Sequence, residues 1–201
     1  MDEAWLTLDY TNGKSTHHYD SKKKSERKSD PPAATSAPQF PDQIMFAAGF
    51  CAKGKTDLYF IPKDTKVCSK VFVKQVLEPM FKRDVPRIFG RNKNKVLLHM
   101  DSASSHTSKY TTNWLKSNKI NYITKDQWLP NSPKLSPMDY FANGYLKNKI
   151  KRRRYRTMRG LKQCARQEWE NIPVKMCANA IESWPKRVLA VHRAKGRDIP
   201  Q

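Results

Sequence analysis

The chain has 201 residues, 38% hydrophobic and 28% charged, enough for one sizeable domain with a buried core. No stretch reaches the roughly 18 uncharged apolar residues that a membrane span needs, and the N-terminus lacks the apolar run of a signal peptide, so a soluble, intracellular protein with no membrane partner is expected. Lys and Arg number 39 against 18 acids, a formal net charge of +21. Charge of that size repels itself unless a polyanion relieves it, which points to nucleic acid, against the plainer reading of a solvated basic surface.

The first segment, Trp5-Leu6-Thr7-Leu8-Asp9-Tyr10, alternates apolar and polar and predicts a strand from Ala4 to Tyr10. Asn12-Gly13 is a tight-turn signal, with Ser15 to Tyr19 as the returning strand. Residues 21–43 break the pattern: Lys22-Lys23-Lys24 and Arg27-Lys28 are followed by Pro31, Pro32, Pro38 and Pro41, the composition of an extended, exposed insertion. Ile44 to Cys51 and Asp57 to Ile61 predict two strands around Ala52-Lys53-Gly54-Lys55. Val67 to Lys82 has a helical rhythm, with Pro79 expected to kink it or start its last turn.

Val96-Leu97-Leu98-His99-Met100 is nearly continuous apolar, the pattern of a strand covered on both faces, and runs into Asp101. Thr107 to Ser117 predicts a helix, Ile120 to Thr124 a strand, and Trp128 to Pro137 a loop. A helix is expected from Met138 to about Tyr155, then helices from Met158 to Lys195 broken at Ile172-Pro173 and Trp184-Pro185. Strands and helices in this order predict an α/β layered fold. The cysteines at 51, 68, 164 and 177 show no C-x-x-C spacing, which argues against a zinc ribbon. They read as reduced core thiols.

Three acids could carry chemistry. Asp101 ends the buried strand, and in α/β sheets ligands bind outside the carboxyl ends of strands; an Asx turn leaving the strand is the plainer reading. Asp139 opens a helix in Ser136-Pro137-Met138-Asp139, where it either caps the helix or presents a carboxylate toward the sheet. Asp2, just before the first strand, reads by itself as a loose terminal residue. Magnesium takes oxygen ligands and keeps several waters, so a few carboxylates suffice. Two such ions about 3.5–4 Å apart stabilise both the attacking and the leaving oxygen of a phosphodiester displacement.

The sequence resembles the catalytic domain of the mariner/Tc transposase superfamily over nearly its whole length. Met1-Asp2-Glu3-Ala4-Trp5 resembles the family's first acid motif, and Gly49-Phe50-Cys51-Ala52-Lys53-Gly54-Lys55 its hairpin. His99-Met100-Asp101-Ser102-Ala103-Ser104-Ser105-His106-Thr107-Ser108 resembles the second motif, usually Gln-Asp-Asn/Gly-Ala-x-x-His-Thr. Ser132-Pro133-Lys134-Leu135-Ser136-Pro137-Met138-Asp139 resembles the third, Ser-Pro-Asp-Leu-x-Pro-x-Asp/Glu, with 37 residues (102–138) between Asp101 and Asp139, a spacing usual for the family. Trp169-Glu170-Asn171-Ile172-Pro173 and Trp184-Pro185-Lys186-Arg187 resemble its ending. Lys134 departs from the family's acid, and Asn143 stands where a Trp is common.

The resemblance implies an α/β fold of the RNase H-like kind, a mixed sheet flanked by helices. It implies a catalytic, metal-binding triad of Asp2, Asp101 and Asp139, holding two Mg²⁺ or Mn²⁺ ions, that cuts DNA and joins the freed 3′-hydroxyl to target DNA in the nucleus. His106 matches the family's histidine without an assigned role. The basic, Pro-rich insertion at about 21–43 lies where mariner enzymes carry a loop that reaches a second subunit, which implies a homodimer. Lys149, Lys151, Arg152, Arg153, Arg154 and Arg156 form a basic helix end beside Asp139; the expectation is that they contact phosphates of double-stranded DNA, against a solvated helix end or a nuclear-import signal. The family's upstream helix-turn-helix units, which read transposon ends, are expected to be absent here, leaving Asp2 on a shortened strand and loosely held. The alternatives are an inactive or domesticated remnant that still binds DNA or partners, and a basic RNA-binding protein with no metal dependence.

Overall fold

The computed structural model describes residues 1–8, 42–63, 65, 67–129, 132–153 and 155–195. The turn expected at Asn12-Gly13, the returning strand at Ser15 to Tyr19, nearly all of the Pro-rich insertion and Arg154 lie outside the described residues.

Strand β1 (Asp2–Thr7) pairs antiparallel with β2 (Gln43–Ala48), from Asp2 opposite Ala48 to Thr7 opposite Gln43. On its other side β2 pairs antiparallel with β5 (Tyr59–Phe60). Between them β3 (Phe50–Cys51) and β4 (Gly54–Lys55) form a tighter hairpin than expected, turning at Ala52-Lys53, with Gly54 and Lys55, expected in the turn, as its second strand. Gly49 leads into it. A Cβ there would stand 3.1 Å from the Met1 Cβ, a tight contact, and its lack lets the hairpin start close against the head of β1 without displacing Met1. Further along, β6 (Leu97–Leu98) runs parallel to β7 (Asn121–Tyr122). The Met1 nitrogen donates to His99 O at 2.7 Å, tying the head of β1 to the end of β6.

Alternation along the strands sends side chains into two cores. Ala4, Leu6, Ile44, Phe46 and Ala48 face Met138, Ala142, Leu146, Ile150, Leu161, Ala165, Trp169 and Cys177. Ala47, Tyr59 and Ile61 face the opposite way, against Phe72, Val76, Leu77, Met80, Leu98 and Leu115. The antiparallel sheet β1-β2-β5 therefore lies between two helical layers, with the parallel pair β6-β7 as a separate ladder among the described residues, and the expected α/β, helix-flanked arrangement results. One layer holds α5 (Gly144–Lys151), α6 (Met158–Glu170) and α7 (Val174–Arg193). The other holds the helix that begins as α1 (Ser69–Phe72) and ends as α2 (Val85–Phe89), together with α4 (Lys109–Ser117). Leu146 is fully buried, so Leu146→Ala is expected to destabilise the fold by about 2–5 kcal/mol, read as a lower denaturation midpoint with an unchanged denaturant slope.

Several expected boundaries move. The helix expected to end at Lys82 continues to Phe89 and passes through Pro79, widening to π-type turns over Val73–Leu77 and Met80–Asp84. Wider turns accommodate a residue with no N–H to donate, and Gly90, at φ +51°, ends the run. The strand read as covered on both faces is half-covered: Leu98 and Met100 are buried, but Leu97 is 61% exposed, because helices back only one face of β6. Pro185 lies inside α7 and does not break it. Two tertiary bonds hold the helix there: Tyr140 Oη donates to Ala180 O, and Trp184 Nε1 donates to Leu135 O at 2.9 Å; within the helix, Ser183 Oγ also donates to Ala180 O. The helix after Asp139 stops at Lys151, not Tyr155. Tyr155 instead turns inward, with its hydroxyl 3.2 Å from Ile150 O, a carbonyl at the helix end that also accepts from Arg153 N. Of the cysteines, Cys164 and Cys177 are core thiols as expected, Cys51 is partly buried, and Cys68 is exposed.

Candidate active site

Asp2 and Glu3 are neighbours on a strand, so their side chains leave on opposite faces. Asp2 is buried on the α5 side, where Asn143 Nδ2 donates to Asp2 Oδ2 at 2.8 Å. Asn143 lies four residues after Asp139 in the turns Met138–Asn143 that lead into α5, and residues so spaced share one helix face. Asp139 is exposed, and no side-chain cap is made at the start of this helix. The capping role therefore does not compete for its carboxylate. The platform under it is fixed by the Arg187 guanidinium, 4.0 Å over the Tyr140 ring, and by the Tyr140 and Trp184 bonds to neighbouring backbone.

Asp101 comes two residues after His99, whose carbonyl is bonded to the head of β1. Its Oδ1 accepts from Ala103 N at 3.0 Å and lies 2.6 Å from His106 Nδ1. The Asx turn and a place at the strand end are both realised. His106, in the short helix α3 (Ser104–Thr107), is buried against the Phe72 ring, and its Nε2 lies 3.0 Å from Glu3 Oε1.

Electrostatics tie the acids together. Burial, then the charges of Asp139 and of Asp101, push the Asp2 carboxyl up to about 6, against the Asn143 N–H that favours its ionised form. The bond from His106 holds Asp101 below the ordinary carboxylate range. Burial opposes a charged His106, but its bonds to Asp101 and Glu3 outweigh burial and raise it to about 9. Asp2 therefore feels the charges of both Asp139 and Asp101, and the buried Met1 ammonium lies in the field of all three. Among the described residues no three His, Cys, Asp or Glu side chains are drawn together tightly enough to enclose one ion. An open arrangement of hard oxygen donors still suits Mg²⁺ or Mn²⁺, which complete their shells with water and substrate oxygens. The residues present fit such ions.

Asp2 is thus an ordered, buried member of β1 rather than a loose terminal residue. Asn143, which the motif comparison marks only as a departure, is its partner; the signal available in the sequence was its i, i+4 spacing from Asp139. Glu3 belongs to the site through His106, a role legible only from strand alternation. The basic run is divided. Arg153 pairs with Glu168 at 2.9 Å, and Lys149 lies 5.4 Å from the Tyr145 ring centroid. Lys151, Arg152 and Arg156 are exposed.

No protein-family model matches the chain. The chain is 28% identical over 102 residues to the Tcb1 transposable-element transposase of Caenorhabditis briggsae, an alignment covering 50% of this chain and 35% of that protein. It spans about a third of that relative's length. Its fold matches a Mos1 transposase paired-end complex with the left transposon end at a TM-score of 0.77 and 16% identity, over 99% of this chain and 55% of that one. It matches the catalytic domain of Mos1 mariner transposase at a TM-score of 0.68 and 14% identity, over 79% of this chain and 77% of that one. The likeness to mariner/Tc transposases carried by the motifs thus coincides with the fold of the mariner catalytic domain.

Proposed function

We propose that this chain, a mariner/Tc-type transposase catalytic domain by sequence likeness and fold, cuts DNA strands and transfers the freed ends to target DNA. The observation that carries this reading is geometric: Asp2 is bonded by Asn143, four residues after Asp139 in the same helical segment, and opens the strand whose head is tied to His99, two residues before Asp101. Asp2, Asp101 and Asp139 would hold two Mg²⁺ or Mn²⁺ ions, which when bound supply charge neutralisation at the scissile phosphate and a more acidic water. Solved Mos1 complexes with Mn and with Mg support that choice of metal. The chain's own residues do the rest. Asn143 and His106 orient two of the carboxylates, and Asp139 is carried on a helix braced by α7. Exposed cations hold the DNA backbone, which they contact without reading sequence.

In the first reaction water attacks the phosphodiester, the P–O3′ bond breaks, and a 3′-hydroxyl and a 5′-phosphate result. In the second, that hydroxyl attacks a target phosphodiester and displaces its 3′-oxygen. Both are in-line displacements without a covalent enzyme intermediate. Double-stranded DNA is the substrate, and the nucleus is the compartment that holds it. The paired-end and strand-transfer complexes of Mos1 support assembly around DNA ends, with a second copy of this chain as the partner subunit. Among the described residues no helix is long and apolar enough to cross a membrane.

The test is nicking of supercoiled plasmid by the purified chain. Nicked circles should accumulate with Mg²⁺ or Mn²⁺ and stop in a chelator. DNA binding without nicking under any divalent cation would favour a non-catalytic descendant. Nicking that persists in the chelator would exclude the metal-dependent site.

A further inference from the structure

The Asp-Glu pair that opens β1 divides its work between the two faces of the strand. Asp2 points toward Asn143 and Asp139, while Glu3 points to the opposite side and reaches His106. The Glu3 side chain is 12% exposed and that of His106 1%, so this contact is closed off from water. His106 Nε2 lies 2.9 Å from Glu3 Oε2 and 3.0 Å from Oε1, and its Nδ1 lies 2.6 Å from Asp101 Oδ1. Ionised carboxylates only accept hydrogen bonds, so a ring between two of them must donate from both nitrogens. The Phe72 ring, 4.3 Å away, limits the tilt of the imidazole.

Asp101 Oδ1 is therefore held twice, by His106 Nδ1 and by Ala103 N at 3.0 Å. With one oxygen pinned by two donors, the carboxylate plane is set and Oδ2 points in one direction. Without Glu3, the Nε2 edge of His106 would be buried with no acceptor, and the ring would lose the anchor that aims Nδ1 at Asp101.

We infer that Glu3 is a positioning residue: acting through His106, it fixes the Asp101 carboxylate in the orientation that a divalent cation requires. The inference rests on the reading of Asp101 as a metal ligand. Glu3 touches neither metal nor DNA, and its contribution is the order it imposes before either binds. Outer partners of ligating side chains commonly change metal affinity by about 10–100-fold.

The experiment is calorimetric titration of the full chain with MnCl₂ alone, beside plasmid nicking and a thermal melt. Glu3→Ala should weaken Mn²⁺ binding by about tenfold or more. Glu3→Gln, which keeps an acceptor for the ring N–H, should recover most of that affinity. In a His106→Gln background, Glu3→Ala should have no further effect on Mn²⁺ affinity, because the route through the ring is already cut. A lower melting temperature with parental Mn²⁺ affinity would overturn the inference, as would losses that add in the double variant or a parent that binds no Mn²⁺. Should Glu3→Ala fail to fold, His106→Gln carries the same expectation, and unchanged affinity there overturns it equally. A parent that shows this pattern of Mn²⁺ binding yet never nicks DNA sinks the transposase reading and leaves the role of Glu3 standing.

Discussion

Asp101→Asn is expected to lower metal-dependent nicking by on the order of 10³-fold or more while leaving the protein folded. Metal-assisted charge stabilisation contributes several kcal/mol to such reactions, and each ~1.4 kcal/mol is about tenfold in rate. An amide is a poor ligand for a hard cation, and it removes one of the charges that make Asp2 hard to ionise. The fold should tolerate the change, because Asn retains an oxygen that can accept from His106 and Ala103, and His106 keeps Glu3. The melting temperature should move by only a few degrees, since for a chain of this size ~1 kcal/mol corresponds to about 2–4 °C. Steady-state nicking and a thermal melt on the same preparation decide the matter. An unfolded variant, with parental nicking indifferent to chelator, would make Asp101 a structural residue.

DNA affinity should fall steeply with salt, on the order of 10³-fold between about 50 and 200 mM if six or more phosphates are neutralised. The slope of log affinity against log salt should be roughly −0.9 per phosphate contacted. The fold narrows which residues to change. Arg153 is engaged by Glu168 and lies 3.7 Å from Cys164 Sγ, so its loss is expected to cost stability more than affinity. Lys151, Arg152 and Arg156 are exposed like Arg153 but stand outside its ion pair with Glu168. Replacing these three by Ala should make the slope shallower by roughly 0.9 for each one that meets a phosphate. Because these contacts carry no base information, a transposon-end duplex and a random duplex should bind within about tenfold of each other, below the usual span of specific over non-specific binding. Titrating both duplexes at two salt concentrations measures slope and preference together. A slope unchanged by the triple replacement would move the DNA path elsewhere.

Read alone, the sequence sets the order of the elements, and its charge points toward a polyanionic partner. A net charge of +21 repels itself without a polyanion. Alternation in β1 and β2 and the helical rhythms of α4 to α7 are local patterns, set by which side chains must face a core. Asp101 at a strand end and Asp139 at a helix start were legible for the same reason, because each sits at a boundary between such patterns. The ends of elements were not, since long-range contacts override local signals there. Pro79 reads as a kink or the start of a last turn and Pro185 as a break, yet both helices run on through them, α7 held by the bonds of Tyr140 and Trp184. Tyr155 reads as part of a helix until its hydroxyl is seen near Ile150 O and Cys164 Sγ. The site's supports lay furthest out of reach. Asn143 meets Asp2 across 141 positions of sequence, and Glu3 meets His106 across 103. Spacing and alternation say which face a residue takes, but no periodicity names its partner on another element. Such pairs exist because the head of β1 is clamped between Ala48 on one side and His99 on the other. Once the strand is fixed there, its alternation commits Asp2 to one helical layer and Glu3 to the other.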